Sequence, residues 1–163
     1  MTSPNPLFLR EEELDRGLDL LYFASHQLSL DAVALRGQVA IDETDHRTLF
    51  LIERDPGITL AELSGVLGVS KQTLSRHLKR LAEVGLIDQG TTVLDRRKRP
   101  LRLTGKAASV LGEIKNLQKR RLRLAFKNAG ATAVEGFRSV LLELVGEPRR
   151  ELLRRLTAGI RAR

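Results

Sequence analysis

The stretch Thr59-Leu60-Ala61-Glu62-Leu63-Ser64-Gly65-Val66-Leu67-Gly68-Val69-Ser70-Lys71-Gln72-Thr73-Leu74-Ser75-Arg76-His77-Leu78-Lys79-Arg80-Leu81-Ala82-Glu83-Val84-Gly85 decides the fold. It encodes two short helices with a sharp turn between them. Asp55-Pro56-Gly57 ends whatever precedes it, and Thr59 with Glu62 three residues on forms a capping box, in which each side chain satisfies a backbone N–H that the first turn leaves unpaired. A helix from about Leu60 to Leu67 follows. Gly68 falls where the chain must turn, and Ser70 is placed to cap the next helix. In that helix Leu74, Leu78 and Leu81 share one face, Gly85 supplies a left-handed stop, and Leu86 is positioned to fold back over the apolar stripe. This is the spacing of a helix-turn-helix.

With 100° between residues, Gln72, Thr73, Ser75, Arg76, Lys79 and Arg80 lie away from the leucines, and Lys71 sits near the exposed first turn. Nothing acidic in the segment interrupts that face before Glu83. Arg and Lys donate to guanine O6 and N7, Gln pairs with adenine, and Ser or Thr, including Ser70 at the helix start, takes a base edge or a phosphate oxygen. The N-terminus of the helix also favours a phosphate. An isolated basic helix face is better explained by solvation, so the neighbouring segment carries weight. Leu86-Ile87-Asp88-Gln89 and Pro100-Leu101-Arg102-Leu103 read as two short strands, with Leu101 and Leu103 alternating inward. Between Asp95 and Arg102 there are five cations, Arg96, Arg97, Lys98, Arg99 and Arg102. Like charges so close repel, and a phosphate backbone relieves the repulsion. The alternative is a loop kept soluble by its charge.

The run from Ser70 to Gly85 with Leu86-Ile87, then Asp95-Arg96-Arg97, then Leu101-Arg102-Leu103-Thr104 opening a long helix, resembles the MarR family of bacterial winged helix-turn-helix transcriptional regulators. The resemblance covers the middle third of the chain. Its most specific piece is the Asp-x-Arg of the wing followed by the Leu-x-Leu-Thr strand. It implies that Asp95 braces the wing, that Arg97 enters a narrow minor groove where negative potential concentrates, and that Arg96 and Arg99 face phosphates. Lys98 belongs to the same cationic tip. The helix from Ser70 is then the recognition helix in the major groove. The implied fold class is mainly α, a winged helix-turn-helix lobe with a short β-hairpin wing, flanked by N- and C-terminal helices that form a dimerisation domain. The implied partner is double-stranded DNA at a pseudo-palindromic operator, read by a homodimeric repressor.

Length and charge agree with a polyanion as partner. The chain has 163 residues, enough for one ordinary domain, with 42% hydrophobic residues, a net charge of +8 and a pI near 10.6. No apolar run approaches the roughly eighteen residues needed to span a bilayer, and Met1 to Arg10 does not resemble a signal peptide, so a cytoplasmic protein is expected. No cysteine is present, which removes disulfides, thiolate metal sites and thiol-oxidation sensing.

The outer thirds read as scaffold. Leu14, Leu21, Leu28 and Leu35 recur every seven residues, interleaved with Leu18, Ser25 and Ala32, giving a long helix with a narrow stripe that ends near Gly37. Thr104 caps a second long helix through Ala107, Leu111, Ile114 and Leu122. Phe137, Val140, Leu141 and Leu144 begin another after Gly130, and a break is expected near Pro148 before Leu152, Leu153, Leu156 and Ile160 resume the pattern. The expected layout is an N-terminal dimerisation helix over 8–40, a winged lobe over 44–103 with its wing at 86–103, and C-terminal dimerisation helices over 104–163. Packing within one chain as a plain helical bundle is the alternative.

Thr44 to Glu53 forms a connecting helix beside the crevice where, by resemblance, family members bind small aromatic acids. Tyr22, His26, His46 and Arg47 are candidate lining residues for a small aromatic or anionic effector, although a lone Tyr or His beside a core is more often structural. The three histidines, His26, His46 and His77, are isolated in sequence, so no metal site and no cofactor is expected, a zinc sensor being the minor alternative. There is no phosphate-binding glycine loop, no nucleophile elbow and no apolar carboxylate pair, so no catalytic residues are expected and the chain is not expected to be an enzyme. Since winged helices also dock proteins, a protein–protein module without sequence-specific DNA binding is the competing function. Operator, regulated genes, effector and sign of regulation do not follow from the residues.

Overall fold

The computed structural model describes residues 7–89, 101–145 and 153–154. After a single 3-10 turn at Leu7–Leu9 come α1 (Glu11–Gln38), α2 (Glu43–Arg54), α3 (Leu60–Leu67), α4 (Lys71–Glu83), β1 (Ile87–Gln89), β2 (Leu101–Leu103), α5 (Gly105–Ala129) and α6 (Ala131–Val145). The expected break at Pro148 and the cationic tip, with Asp95, Arg96, Arg97, Lys98 and Arg99, lie outside the described residues.

Local chemistry sets the ends of these helices. Both halves of the Thr59–Glu62 box form, with the Glu62 backbone N–H donating to Thr59 Oγ1 at 3.2 Å and the Thr59 N–H donating to Glu62 Oε2 at 2.9 Å. Gly68 closes α3 at φ 67°, and Gly85 follows α4 at φ 70°. A side chain at Gly68 would meet nothing within 4 Å. Gly68→Ala therefore tests backbone strain alone, and a loss of about 1 kcal/mol is expected in a urea unfolding curve. Beyond Gly85 the Leu86 N–H donates to the Leu81 carbonyl at 2.8 Å, turning Leu86 inward, where it is fully buried. The connecting helix starts one residue earlier than its apolar pattern suggests. Asp42 caps it, and Asp45 closes a second capping box.

One core holds the winged lobe together. Leu49, Leu51 and Ile52 of α2, Leu63 of α3, Leu74, Leu78 and Leu81 of α4, Leu86, Ile87 and Leu101 of the hairpin, and Ala107 and Leu111 of α5 form a continuous buried cluster. The hairpin is antiparallel with Ile87 opposite Leu103, Asp88 opposite Arg102 and Gln89 opposite Leu101. Leu101 is buried and Arg102 exposed, as the two-residue alternation requires. The trailing half of α1 lies against α5. There Arg121 grips Asp31 with two hydrogen bonds at 2.6 and 2.7 Å, holding the Asp31 carboxyl below its ordinary range, and Gln118 donates to the Leu28 carbonyl at 3.1 Å. Lys115 ties α5 to Glu53 of α2. The leading half of α1 has no such cover among the described residues, and from Leu7 to Gln27 every residue except Gly17 is exposed.

Candidate nucleic-acid interface

Helix α4 buries Leu74, Leu78 and Leu81 and turns Lys71, Gln72, Ser75, Arg76 and Lys79 to solvent. Two of the predicted contact residues have a structural duty as well. Ser70 Oγ accepts the Thr73 N–H at 3.1 Å and donates to Thr73 Oγ1 at 3.0 Å, while Arg76 donates to the same Thr73 oxygen at 3.4 Å. Thr73 is half-buried, so its hydroxyl finishes the cap and steadies Arg76. The free N–H groups of the first turn add a partial positive charge to the same end.

The trailing edge of α4 differs from the sequence reading. No carboxylate precedes Glu83 within α4, yet two arrive from the start of α2. Asp45 is fully buried, and its Oδ1 faces His77 Nδ1 at 2.9 Å. Its other oxygen accepts from the Asp42 N–H at 3.0 Å and is ion-paired with Arg80, which also reaches Asp42 Oδ2 at 3.0 Å. Arg80, read from sequence as part of the polar face, is thus held sideways by two carboxylates. His77 is likewise paired and not isolated. The tertiary link spans 32 residues, so nothing in the local spacing of His77 announced it. The usable signal was the Asp-x-x-Asp of residues 42–45, an N-cap pair whose second member is left with one oxygen to give elsewhere.

Asp42, Asp45 and His77 bring one ligand atom each to within 4.8 Å of one another. Both Asp45 oxygens already have donors, and the Arg80 guanidinium lies against both carboxylates. The cluster reads as a clamp between α2 and α4.

Thr73, Arg76, His77 and Arg80 line a concavity of about 310 Å³ on the exposed side of α4. Since His77 and Arg80 are held by Asp45, Thr73 and Arg76 are the lining groups left to meet a phosphate or a base edge. The root of the wing is fixed to the end of the same helix, because Thr104 Oγ1 donates to the Gly85 carbonyl at 2.8 Å and the Thr104 N–H donates to the Leu86 carbonyl at 3.1 Å. Arg102 is exposed on β2. The predicted contacts at Arg96, Arg97, Lys98 and Arg99, and the brace at Asp95, fall outside the described residues.

The four residues read from sequence as an effector pocket separate into two pairs. Tyr22 stacks on His26, with ring centroids 6.1 Å apart, on the exposed part of α1. His46 and Arg47 lie at the α1–α2 corner, where Arg36 is buried, pairs with Glu43 and donates to the Ser29 carbonyl at 3.4 Å. His26 and Arg36 are ten residues apart on one helix, about 15 Å along its axis. At the corner, burial pushes the His46 imidazole below its ordinary pKa, with Arg36 and Arg47 adding to the effect. His46 Nδ1 is buried and has no hydrogen-bond partner among the described residues.

Comparison with known proteins fits this geometry. A family described as winged helix-turn-helix DNA-binding matches residues 41–88, from the clamp through the reading helix to β1. The chain is 38% identical over 135 residues to the HTH-type transcriptional regulator PetP of Rhodobacter capsulatus, covering 83% of this chain and 81% of the relative. Among solved structures, the MarR family transcription regulator SP03579 superposes with a TM-score of 0.69 at 18% identity, over 86% of this chain and 93% of that one. The Mycobacterium tuberculosis MarR family protein RV2887, solved in complex with salicylic acid, superposes with a TM-score of 0.55 at 20% identity, over 77% and 93%. At such identities the two structures speak for the fold.

Proposed function

The chain belongs to the MarR family of winged helix-turn-helix transcriptional regulators, and from that premise we propose that it is a homodimeric repressor of a pseudo-palindromic operator. That it is a DNA-binding regulator follows from the family. The observation carrying the rest is the reading helix itself, which presents Lys71, Gln72, Ser75, Arg76 and Lys79 to solvent while His77 and Arg80 fix its angle from its trailing edge. A helix held this way contributes base-edge donors from Arg76 and Gln72 and phosphate contacts from Ser70, Thr73 and the lysines. Arg96, Arg97, Lys98 and Arg99 of the wing are assigned to the minor groove and its phosphates by resemblance. A two-fold pair of such lobes reads half-sites about one helical turn apart. No helix among the described residues is long and apolar enough to cross a membrane, and the proposed site of action is the cytoplasm, with the chromosome.

A small aromatic or anionic effector is proposed at the α1–α2 corner. An acid there would compete with Glu43 for Arg36 and Arg47 and would meet His46 Nδ1, which has no hydrogen-bond partner among the described residues. The salicylic acid complex of the fold relative supports that ligand class. The switch requires that the ligand prefer one spacing of the two lobes over the other.

Selection from random duplexes tests the core of this reading. The expected result is an enriched symmetric site whose binding falls steeply with salt and survives competitor DNA. Failure to enrich any symmetric sequence would overturn it in favour of a protein-docking module.

A further inference from the structure

The uncovered leading half of α1 carries exposed Leu14, Leu18 and Leu21 beside Tyr22. Leu18 is 66% and Tyr22 65% exposed, values that one chain leaves unexplained. Along one border of this stripe runs an acidic row, Glu11, Asp15 and Asp19, at four-residue spacing. All three are exposed and have no ion-pair partner among the described residues. On α5 the mirror pattern appears. Exposed Leu122 and half-buried Phe126 are bordered by Lys119, Arg123 and Lys127, again at four-residue spacing, exposed and without an ion-pair partner among the described residues. No acidic residue occurs between Glu113 and Glu135. Between α1, α5 and α6 an apolar trough of about 390 Å³, lined by Ala24, Leu28, Leu122, Phe126, Val134 and Phe137, continues from the α5 surface.

Helix dipoles account for part of this charge placement, but only for part. Glu11 is in the first turn of α1 and Lys127 in the last turn of α5. Asp15, Asp19, Lys119 and Arg123 lie beyond the reach of those termini. Both rows span two turns, about 12 Å, so a three-on-three match needs no distortion.

We infer that the acidic row of α1 and the basic row of α5 are the two halves of a self-recognition code, each docking on its opposite in a second copy of this chain. A two-fold interface repeats every contact, so the pairing of rows occurs twice and both apolar borders are covered. The apolar surfaces supply most of the driving force, and the rows choose the partner and the register, since wrong pairings bring like charges together. The inference rests on the homodimer reading above and gives it a chemistry.

The test uses two charge-reversed full-length variants, Glu11→Lys/Asp15→Lys/Asp19→Lys and Lys119→Glu/Arg123→Glu/Lys127→Glu, in sedimentation at physiological salt. Each alone is expected to raise the dimer dissociation constant at least tenfold, and an equimolar mixture to regain dimers, almost all mixed. Restoration on mixing also shows that both variants fold. Reversed variants that dimerise like the parent would overturn the code while leaving the homodimer standing. A basic-row variant that loses only DNA affinity would reassign that row to the duplex and overturn the code too. A parent chain that is monomeric at micromolar concentration would overturn the homodimer reading itself.

Discussion

Replacing Asp45 with alanine is expected to cost about 3 kcal/mol of folding stability and most of the preference for operator over random DNA. Three donors lose their acceptor at once: His77 Nδ1, the Arg80 guanidinium and the Asp42 N–H that starts α2. Hydrogen bonds to a charged group contribute roughly 1.5–3 kcal/mol each when their loss strands a buried partner. The total here is below their sum, because Arg80 keeps Asp42 and its side chain is 45% exposed, so water takes part of the load. For a chain of this size the loss corresponds to a fall in melting temperature on the order of 6–12 °C, measured at fixed protein concentration.

The functional half of that expectation is the more telling. The leucine face of α4 resists rotation weakly, because apolar contact is non-directional, whereas His77 and Arg80 fix the helix by directed bonds. Without them α4 still offers cations to phosphates, so affinity for random duplex persists while the operator-to-random ratio drops. Asp45→Asn separates the two roles. The amide retains one acceptor, for the cap or for His77, turns a donor toward the other and loses the charge facing Arg80, so an intermediate loss is expected. An Asp45→Ala protein with unchanged melting temperature and unchanged operator preference would remove the clamp from the account.

Arg97→Ala is expected to weaken operator binding about tenfold or more, equivalent to ~1.4 kcal/mol or above, with melting temperature and oligomeric state untouched. The expectation rests on the family resemblance at Asp95-Arg96-Arg97, where Arg97 takes the place of the minor-groove arginine. A guanidinium in a narrow A·T groove meets concentrated negative potential, and alanine leaves that contact empty. Lys98→Ala, at a position assigned to the cationic tip alone, should cost less and act on all sequences alike. Equal affinity of the Arg97→Ala protein and its parent in a mobility-shift titration at moderate salt would withdraw the assignment.

The reading lobe was legible because its signals are local. Thr59 and Glu62, Gly68, Ser70, Gly85 and Thr104 each act within a few residues of themselves, and each sits at the helix end it marks. The leucine spacing of α4 likewise needed only the helical period. The edge of the candidate site was less accessible, since whether a cation on a helix faces DNA or a neighbouring carboxylate depends on what packs beside it. Arg76 and Arg80 are four residues apart and look alike in sequence. Among the described residues one is tethered to a threonine, and the other is held by two aspartates.

By itself, then, the order of residues determined the helices, their caps, the apolar faces and the excess of positive charge, because each depends on spacing along the chain. Which cations are free to meet a polyanion was settled by tertiary structure alone. A carboxylate brought from 35 residues away changes the partner of Arg80 as surely as a mutation would, and the fall of electrostatic force with distance makes that closeness, not sequence separation, the deciding quantity.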